Sequence, residues 1–306
     1  MSAPEAPATD AIGGLAGAAT PVPPPLTLDV PAAAAGRRRR TSATLVAGLS
    51  VTGLVLALVV VQSWWLPFPL DGPAGAPQGP GAAHWLGTDA AGRDLASLII
   101  RGMRVEFAVG LAAACLALVA GTALGLVTAF ASGWLDRLTS SLLDVVLPLP
   151  LLLLALLVGA AHQRSTMAVV VSIGVAATPV VAARCRVLAR RLLRERFVAA
   201  ARAAGAGRLA LVDRHLLPNL LPPLLAQAGL VLGAAMLTEV TLSYLGLGVP
   251  PPQLSLGHLL REAQDTAADL PWTVWAPGLA LLVMVVGVAL LADGLRDATE
   301  PERARR

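Results

Sequence analysis

The chain has 306 residues, of which 56% are hydrophobic and 14% charged, and its mean hydropathy is +0.72. This composition excludes an ordinary soluble domain. The net charge of +4 does not indicate a nucleic-acid partner, because the arginines lie mainly at the edges of apolar blocks, where membrane orientation explains them. Cys115 and Cys185 are far apart and neither belongs to a CxxC pair, so no disulfide, metal or thiol chemistry is expected.

The N-terminal segment, residues 1–42, is rich in Ala, Pro and Gly and closes on an arginine cluster at residues 37–40. We expect this segment to be a disordered cytoplasmic tail, because it buries too little apolar surface to offset its ordering entropy. The next block, residues 43–65, is too long for a typical signal-peptide core and lacks a small-residue cleavage site. It is predicted to be a retained first transmembrane helix, anchored at the interface by Trp64 and Trp65.

The remaining apolar blocks predict a permease-like core of five further spans within residues 105–293. These blocks cover residues 105–130, 138–161, 167–188, 220–245 and 273–292. Residues 66–104 are then an external loop, and residues 294–306 a cytoplasmic tail. Arginines are concentrated between the fourth and fifth spans and in the tail, so the expected fold is an all-α membrane protein with six transmembrane helices, N-in and C-in.

The long internal loop, residues 189–219, needs a reason, because connections in helical bundles are usually short. Its Ala- and Arg-rich sequence predicts a short helix that ends at Gly205 or Gly207. A second short helix is predicted from Arg208 to Leu217, ended by Pro218. The alanines leave a smooth surface on which a partner can close.

This loop resembles the EAA loop of ABC-transporter importer permeases, whose pattern is Glu-Ala-Ala, three residues, Gly and later Leu-Pro. The match places Ala200, Ala201, Gly205 and Pro218 on that pattern, while Ala199 stands where the family usually has Glu. In the family, the short helix docks on a cytoplasmic ATPase. The residues that the resemblance assigns to this ATPase-coupling loop are Phe197, Ala200, Ala201, Arg202, Gly205 and Pro218. The loop's composition alone also allows a basic amphipathic segment on anionic lipid headgroups.

Three other segments resemble the dipeptide, oligopeptide and nickel branch of the same family. Residues 84–94, HWLGTDAAGRD, are similar to its HPLGTDxxGRD segment. Residues 242–252, LSYLGLGVPPP, are similar to its LSFLGLGxxPP segment, and residues 293–297 match its closing DGLRD. Several long motifs in the right order are more specific than any single one.

The resemblance implies a permease subunit in a bacterial inner membrane that imports dipeptides or oligopeptides by alternating access. Its implied partners are a second homologous permease, two ATPase subunits and an extracytoplasmic binding protein, with membrane lipid around the spans and no nucleic acid. Nickel or another small solute is the alternative cargo. A channel or exporter component and a membrane-embedded enzyme are the alternatives from other classes. The chain has no Walker loop and no nucleophile–base cluster, so no catalytic residues and no cofactor are expected, and ATP hydrolysis is assigned to other subunits.

One acidic residue, Glu239, lies deep in the fifth predicted span, where a charge is expensive. It is predicted either to line the translocation path or to be a structural hydrogen-bonding group, between helices or at the interface with a partner. His84, His162 and His258 fall on the external side, but their spacing does not predict a metal site. Gly121 and Gly125 form a GxxxG pair that favours close helix packing, within the chain or against the second permease.

Overall fold

The structure is a computed structural model that describes residues 33–62, 75–160 and 165–299. These residues form ten α-helices and no strand, with one isolated bridge between Thr88 and Asp94. The helices are α1 (Ala33–Val61), α2 (Leu95–Phe130), α3 (Trp134–Val146), α4 (Leu151–Ala160), α5 (Thr166–Leu192), α6 (Arg196–Ala203), α7 (Arg208–Leu211), α8 (Leu217–Tyr244), α9 (Leu256–Ala263) and α10 (Trp272–Thr299). The all-helical class predicted from the sequence is confirmed.

Five helical segments are long and apolar enough to cross a membrane: Ala43–Val61, Leu95–Phe130, Thr166–Leu192, Arg208–Tyr244 and Trp272–Ala298. The predicted third span is not one continuous helix. It consists of α3 and α4, which meet at an angle of 101°. Pro148 and Pro150 lie in the break, and each removes a backbone N–H and restricts the residue before it, so the helix stops. Counting the bent pair as one span gives six.

The boundaries differ from the sequence-based expectation at three further places. Residues 33–42, predicted to be disordered, are helical, because Ala and Arg are strong helix formers that extend α1. Helix α2 begins at Leu95, inside the predicted external loop, where Asp94 caps it. Helix α10 continues to Thr299, beyond the predicted end of the last span. The predicted interfacial anchors Trp64 and Trp65 lie outside the described residues.

Helices α2 and α5 run parallel and form a closely packed pair. A Cβ atom added at Gly121 would lie 2.5 Å from Val181 Cβ, and one at Gly125 would lie 2.5 Å from Cys185 Cβ. The predicted GxxxG pair therefore packs within the chain, where its missing side chains allow the two backbones to approach.

Helices α1 and α10 form a second close pair, and these two run antiparallel. A Cβ atom at Gly48 would lie 2.3 Å from the Leu291 backbone nitrogen, and one at Gly287 would lie 2.7 Å from Val51 Cγ1. Helix α8 joins the two pairs, because it packs against α2, α5 and α10.

These directions place the connections at two ends of the bundle. The arginine-rich end carries the start of α3 and the connection formed by α6 and α7. The opposite end carries residues 75–94, α9 and the start of α10, where the Trp272 indole N–H donates to the Thr88 carbonyl over 2.9 Å.

Candidate functional site

Helix α6 ends in a Schellman motif, which fixes where the chain turns. Gly205 has φ +85°, and its N–H donates to the Arg202 carbonyl over 2.9 Å, while the Ala206 N–H donates to the Ala201 carbonyl over 3.0 Å. Glycine reaches this left-handed conformation without a Cβ clash. Helix α6 therefore ends at the predicted stop, with Gly205 in a left-handed turn.

Helix α6 rests on the bundle through one side chain and exposes most of the others. Val198 is fully buried, and Ala201 is half-buried. Phe197 is 43% exposed. The other exposed side chains of α6 are Arg196, Ala199, Ala200, Arg202 and Ala203. The outer surface of α6 therefore consists mainly of alanine methyl groups with arginine side chains beside them.

The sequence predicts a separate second helix after Gly207 that ends at Pro218. The described residues of this segment do not form one. Helix α7 continues through a π-helical turn, Val212–Leu216, directly into α8. Pro218 lies in the first turn of α8, directly after the π-helical turn. The Leu217 N–H reaches back to the Val212 carbonyl, and the Asn219 side-chain amide donates to the His215 carbonyl over 2.7 Å. Because the helix is continuous here, movement of α7 is carried into α8.

A contact between two aromatic rings connects α6 with the π-helical turn that follows α7. The rings of Phe197 on α6 and His215 in the π-helical turn lie 6.2 Å apart between centroids and are tilted by 49°. Leu211 and Leu216 in the same segment are buried, at 2% and 0% exposure. Leu209, in contrast, is 86% exposed at the tip of the loop.

The preceding helix, α5, is held to α3 by an arginine pair. Arg186 and Arg190 both donate through Nη2 to the same carboxylate oxygen of Asp136. Arg190 also donates to the Thr128 carbonyl at the end of α2, over 3.3 Å. Charge-assisted bonds of this kind are the stronger class of hydrogen bond, so the arginine-rich end of α5 is tied to its neighbours before the loop begins.

Glu239 on α8 is fully buried and accepts a hydrogen bond of 2.6 Å from the Ser243 hydroxyl. It is not among the residues around the cavity of about 220 Å³ that Ala155, Ser172 and Leu242 help to line. The Ser243 hydroxyl lies on α8 itself, so this bond is within one helix, and the role of Glu239 stays a prediction. The structure also adds a residue that sequence reasoning missed, Glu106 on α2, which is equally buried and interacts with Glu239. A carboxylate inside an apolar helix was the available signal, but the predicted span began at residue 105 and so placed Glu106 at its edge.

At the opposite end, the segment 84–94 folds into a compact polar loop. The Asp94 side chain caps α2 by accepting from the Ser97 N–H over 2.8 Å, and its other oxygen lies 2.9 Å from His84 Nδ1. Arg93 donates to Asp89 over 2.6 Å and to Glu262 on α9 over 2.9 Å. Burial lowers the pKa of the Arg93 guanidinium, but its bonds to the two carboxylates outweigh this and raise the pKa overall.

The histidines of this end are separate from one another. His84 is paired with Asp94, His258 Nδ1 lies 3.3 Å from the Ser255 hydroxyl, and His162 lies outside the described residues. Among the described residues, no three His, Cys, Asp or Glu side chains are grouped as a metal site.

Comparison with known proteins identifies the family. Residues 121–305 match the model of the binding-protein-dependent transport system inner membrane component. The chain belongs to this family. This chain is accordingly a multi-pass inner-membrane protein. Its family consists of transporter permeases.

Named relatives extend the similarity to most of the permease. The dipeptide transport permease DppC of Alkalihalophilus pseudofirmus is 36% identical over 75% of this chain and 76% of its own length. The di/tripeptide permease DppC of Pseudomonas aeruginosa is 37% identical over 74% of each chain. The glutathione permease GsiD of Pectobacterium atrosepticum is 32% identical over 82% of this chain and 85% of its own.

A solved structure has the same fold at lower identity. A chain of the MetNI methionine ABC transporter in an inward-facing conformation superimposes with a TM-score of 0.55 and is 20% identical. The match covers 66% of this permease and 96% of that chain. It supports the ABC-permease fold alone.

Proposed function

We propose that this permease is the membrane subunit of an ATP-driven importer of dipeptides or short oligopeptides. The proposal is supported by relatives whose names specify dipeptides, di/tripeptides and glutathione, itself a small peptide. The single structural observation that carries the coupling mechanism is α6, a short helix with exposed small side chains whose two ends lead into the spanning helices α5 and α8.

Helix α6 is suited to receive a mechanical input from a partner. Its exposed face around Ala199, Ala200 and Ala203 lets a partner groove approach the backbone closely. Val198 on the opposite face is buried, and the continuous helix from Arg208 to Tyr244 carries displacement toward the far end. We assign the partner in this groove as a cytoplasmic ATPase, with Phe197, Ala200, Ala201, Arg202 and Gly205 at or beside the contact and Pro218 at the start of α8.

Alternating access then requires that the loop bind the closed ATPase pair better than the open pair. Equal contact in both states would shift no equilibrium, however tight the binding. The complete importer would contain this chain, a second related permease, two ATPase subunits and an extracytoplasmic binding protein that delivers the peptide. Hydrolysis of ATP would belong to the ATPase subunits.

The cargo is tested by uptake of a labelled dipeptide and of labelled nickel, side by side, in cells with and without the gene. We expect dipeptide uptake to be lost without the gene and nickel uptake to be unchanged. Loss of nickel uptake alone would contradict the peptide assignment while leaving the importer class in place. Unchanged uptake of both would remove both cargoes.

The docking surface is tested by Ala200→Arg, with Ala298→Arg as its matched control. Both alanines are exposed helical residues on segments at the arginine-rich end, but only Ala200 belongs to α6. We expect Ala200→Arg to reduce co-purification of the ATPases and peptide uptake at least about tenfold, the effect expected at a central interface position. Membrane insertion should be normal for both variants. Equal losses would show that added charge, rather than position, is responsible.

The orientation is tested with single cysteines in a background where Cys115 and Cys185 are replaced by Ala. A cysteine at Gly207 should be shielded from a membrane-impermeant thiol reagent in intact cells, and a cysteine at Ala82 should be labelled. The reverse pattern would place the α6 loop outside the cell and contradict its contact with a cytoplasmic ATPase.

A further inference from the structure

Two glutamates lie in contact inside the helical bundle, and the proposed function uses neither. Glu106 on α2 and Glu239 on α8 are both at 0% exposure, and their side chains interact. Burying one unpaired carboxylate is costly, and two ionised carboxylates in contact add repulsion to that cost. The arrangement therefore needs a partner that neutralises at least one of them.

Hydrogen-bond donors reach only one oxygen of each carboxyl group. The Leu256 N–H donates to Glu106 Oε1 over 3.2 Å, and the Ser243 hydroxyl donates to Glu239 Oε1 over 2.6 Å. Glu106 Oε2 and Glu239 Oε2 are buried and receive no hydrogen bond from the described residues. Buried oxygens of this kind are rare, because each leaves a desolvation cost uncompensated.

We propose that the pair binds one proton, which forms a hydrogen bond between the free oxygens of Glu106 and Glu239. This single proton gives both orphaned oxygens a partner. The other oxygen of Glu106 accepts from the Leu256 N–H at the N-terminus of α9. The other oxygen of Glu239 accepts from the Ser243 hydroxyl, so the shared proton is the donor that the two remaining oxygens need.

The proton completes a chain of hydrogen bonds through three helices. The Val249 N–H donates to the Ser243 hydroxyl oxygen over 3.3 Å, and Ser243 donates to Glu239. The shared proton then links Glu239 to Glu106, which also accepts from Leu256 at the start of α9. The bonds join the turn after α8, α8 itself, α2 and α9.

This series of hydrogen bonds fixes the position of α9 and does not line a translocation path. A Cβ atom at Gly102 on α2 would lie 2.9 Å from Leu256 Cδ2, and one at Gly257 would lie 2.3 Å from the Val240 carbonyl on α8. The first turn of α9 is therefore seated tightly against both helices. The exposed Glu262 on α9 forms an ion pair with Arg93. By positioning α9, the carboxyl pair therefore also stabilises the 84–94 loop.

The proposal makes a non-additive prediction for amide substitutions. In Glu239→Gln, the amide N–H₂ replaces the shared proton as donor to Glu106. In Glu106→Gln, the amide oxygen accepts from Leu256 and its N–H₂ donates to Glu239. Each single variant thus keeps one donor facing one acceptor, whereas the double variant turns two N–H₂ groups toward each other.

The experiment measures the half-life of the folded full-length chain at a fixed temperature in detergent micelles. We expect each single variant to stay within about threefold of the parent and the double variant to fall at least about tenfold below either single, the size expected for unpaired buried donors. If both carboxyls were ionised instead, removing both charges would relieve repulsion. A double variant as stable as the singles, or more stable, would therefore overturn the proposal.

A spectroscopic readout separates this proton from a packing role. The infrared spectrum of the parent at neutral pH should contain the carbonyl band of a protonated carboxylic acid, and Glu239→Gln should remove it. Glu262→Gln, on an exposed carboxyl of α9, should leave the band unchanged. Spectra of parent and Glu239→Gln that do not differ in this band would overturn the proposal. Neither readout depends on which solute the permease transports.

Discussion

The two ends of the bundle use the same residue types for opposite purposes. At the arginine-rich end, Gly205 is surrounded by open space and Glu195, the N-cap residue of α6, makes no side-chain cap bond. At the opposite end, a Cβ at Gly92 would lie 2.3 Å from the Gly75 carbonyl oxygen, and Asp94 caps α2 with a 2.8 Å bond. The α6 loop is thus open to its surroundings, whereas the segment before α2 is closely packed and capped.

This difference separates a surface awaiting a partner from a surface that is already complete. Few contacts within the chain hold α6, so its position is free to respond to the ATPase that we propose as its partner. The 84–94 loop, α9 and the start of α10 are held together by ion pairs, a cap and the Trp272 bond to Thr88. Matched substitutions at the two ends should therefore differ in their cost to stability.

The largest contrast is expected between Gly92→Ala and Gly205→Ala. Both glycines have positive φ, +75° and +85°, but only Gly92 has backbone atoms where a Cβ would lie. We expect the free energy of unfolding to fall by about 3 kcal/mol for Gly92→Ala, from strain plus overpacking, and by about 1 kcal/mol for Gly205→Ala, from strain alone. Thermal unfolding in detergent micelles measures both.

Gly207→Ala is the control for this comparison. Its φ is −70°, and nothing lies within 4 Å of an added Cβ. The loss of N-cap preference and the lower entropy of the unfolded chain oppose each other, so a net change within about 0.5 kcal/mol is expected. Losses of equal size for Gly92→Ala and Gly205→Ala would mean that the opposite end is no more constrained than the α6 loop.

The next contrast is between two acidic N-cap residues, Asp94 and Glu195. Asp94→Ala removes the cap of α2 and the partner of His84, so we expect a loss of about 2 kcal/mol. Glu195→Ala removes no cap bond and should change stability by about 0.3 kcal/mol or less. Asp94→Asn, which retains an acceptor oxygen, should recover part of the loss. An Asp94→Ala variant as stable as Glu195→Ala would show that the cap is not stabilising.

A smaller effect is expected for Trp272→Phe, which keeps an aromatic ring but removes the indole donor to Thr88. The lost hydrogen bond should lower the free energy of unfolding by about 1 kcal/mol. Trp275→Phe, on the same helix and 77% exposed, is the control and should be neutral. Equal values for the two variants would remove the Thr88 bond from the forces that hold this end together.

A small effect on stability is also expected for Leu209→Ala. Leu209 is 86% exposed, so truncation should change the free energy of unfolding by less than about 0.5 kcal/mol. If a partner covers this side chain, co-purification of the ATPases should nevertheless fall severalfold, and Leu209→Met should largely retain it. Normal co-purification with Leu209→Ala would exclude Leu209 from the docking contact.

Local sequence signals were sufficient for the features that depend on neighbours along the chain. Apolar block length indicated the spans, and Ala and Arg followed by Gly205 indicated a short helix with a left-handed stop. Local signals did not give the effect of each proline on its helix, because a proline either ends a helix or lies inside one. Pro148 and Pro150 separate α3 from α4, whereas Pro218 lies within the first turn of α8 after a π-helical turn. Backbone hydrogen bonds on either side decide between these outcomes, and composition does not describe them.

The sequence by itself determined that the chain is a multi-spanning membrane protein with an Ala- and Arg-rich loop between two spans, because hydropathy and helix stops are local properties. Only the tertiary structure decided which distant residues meet. Glu106 and Glu239 are neighbours because α2 and α8 run antiparallel at one register, and Gly121 reaches Val181 because α2 and α5 run parallel. Such pairings depend on the packing of whole helices, so no short window of sequence contains them.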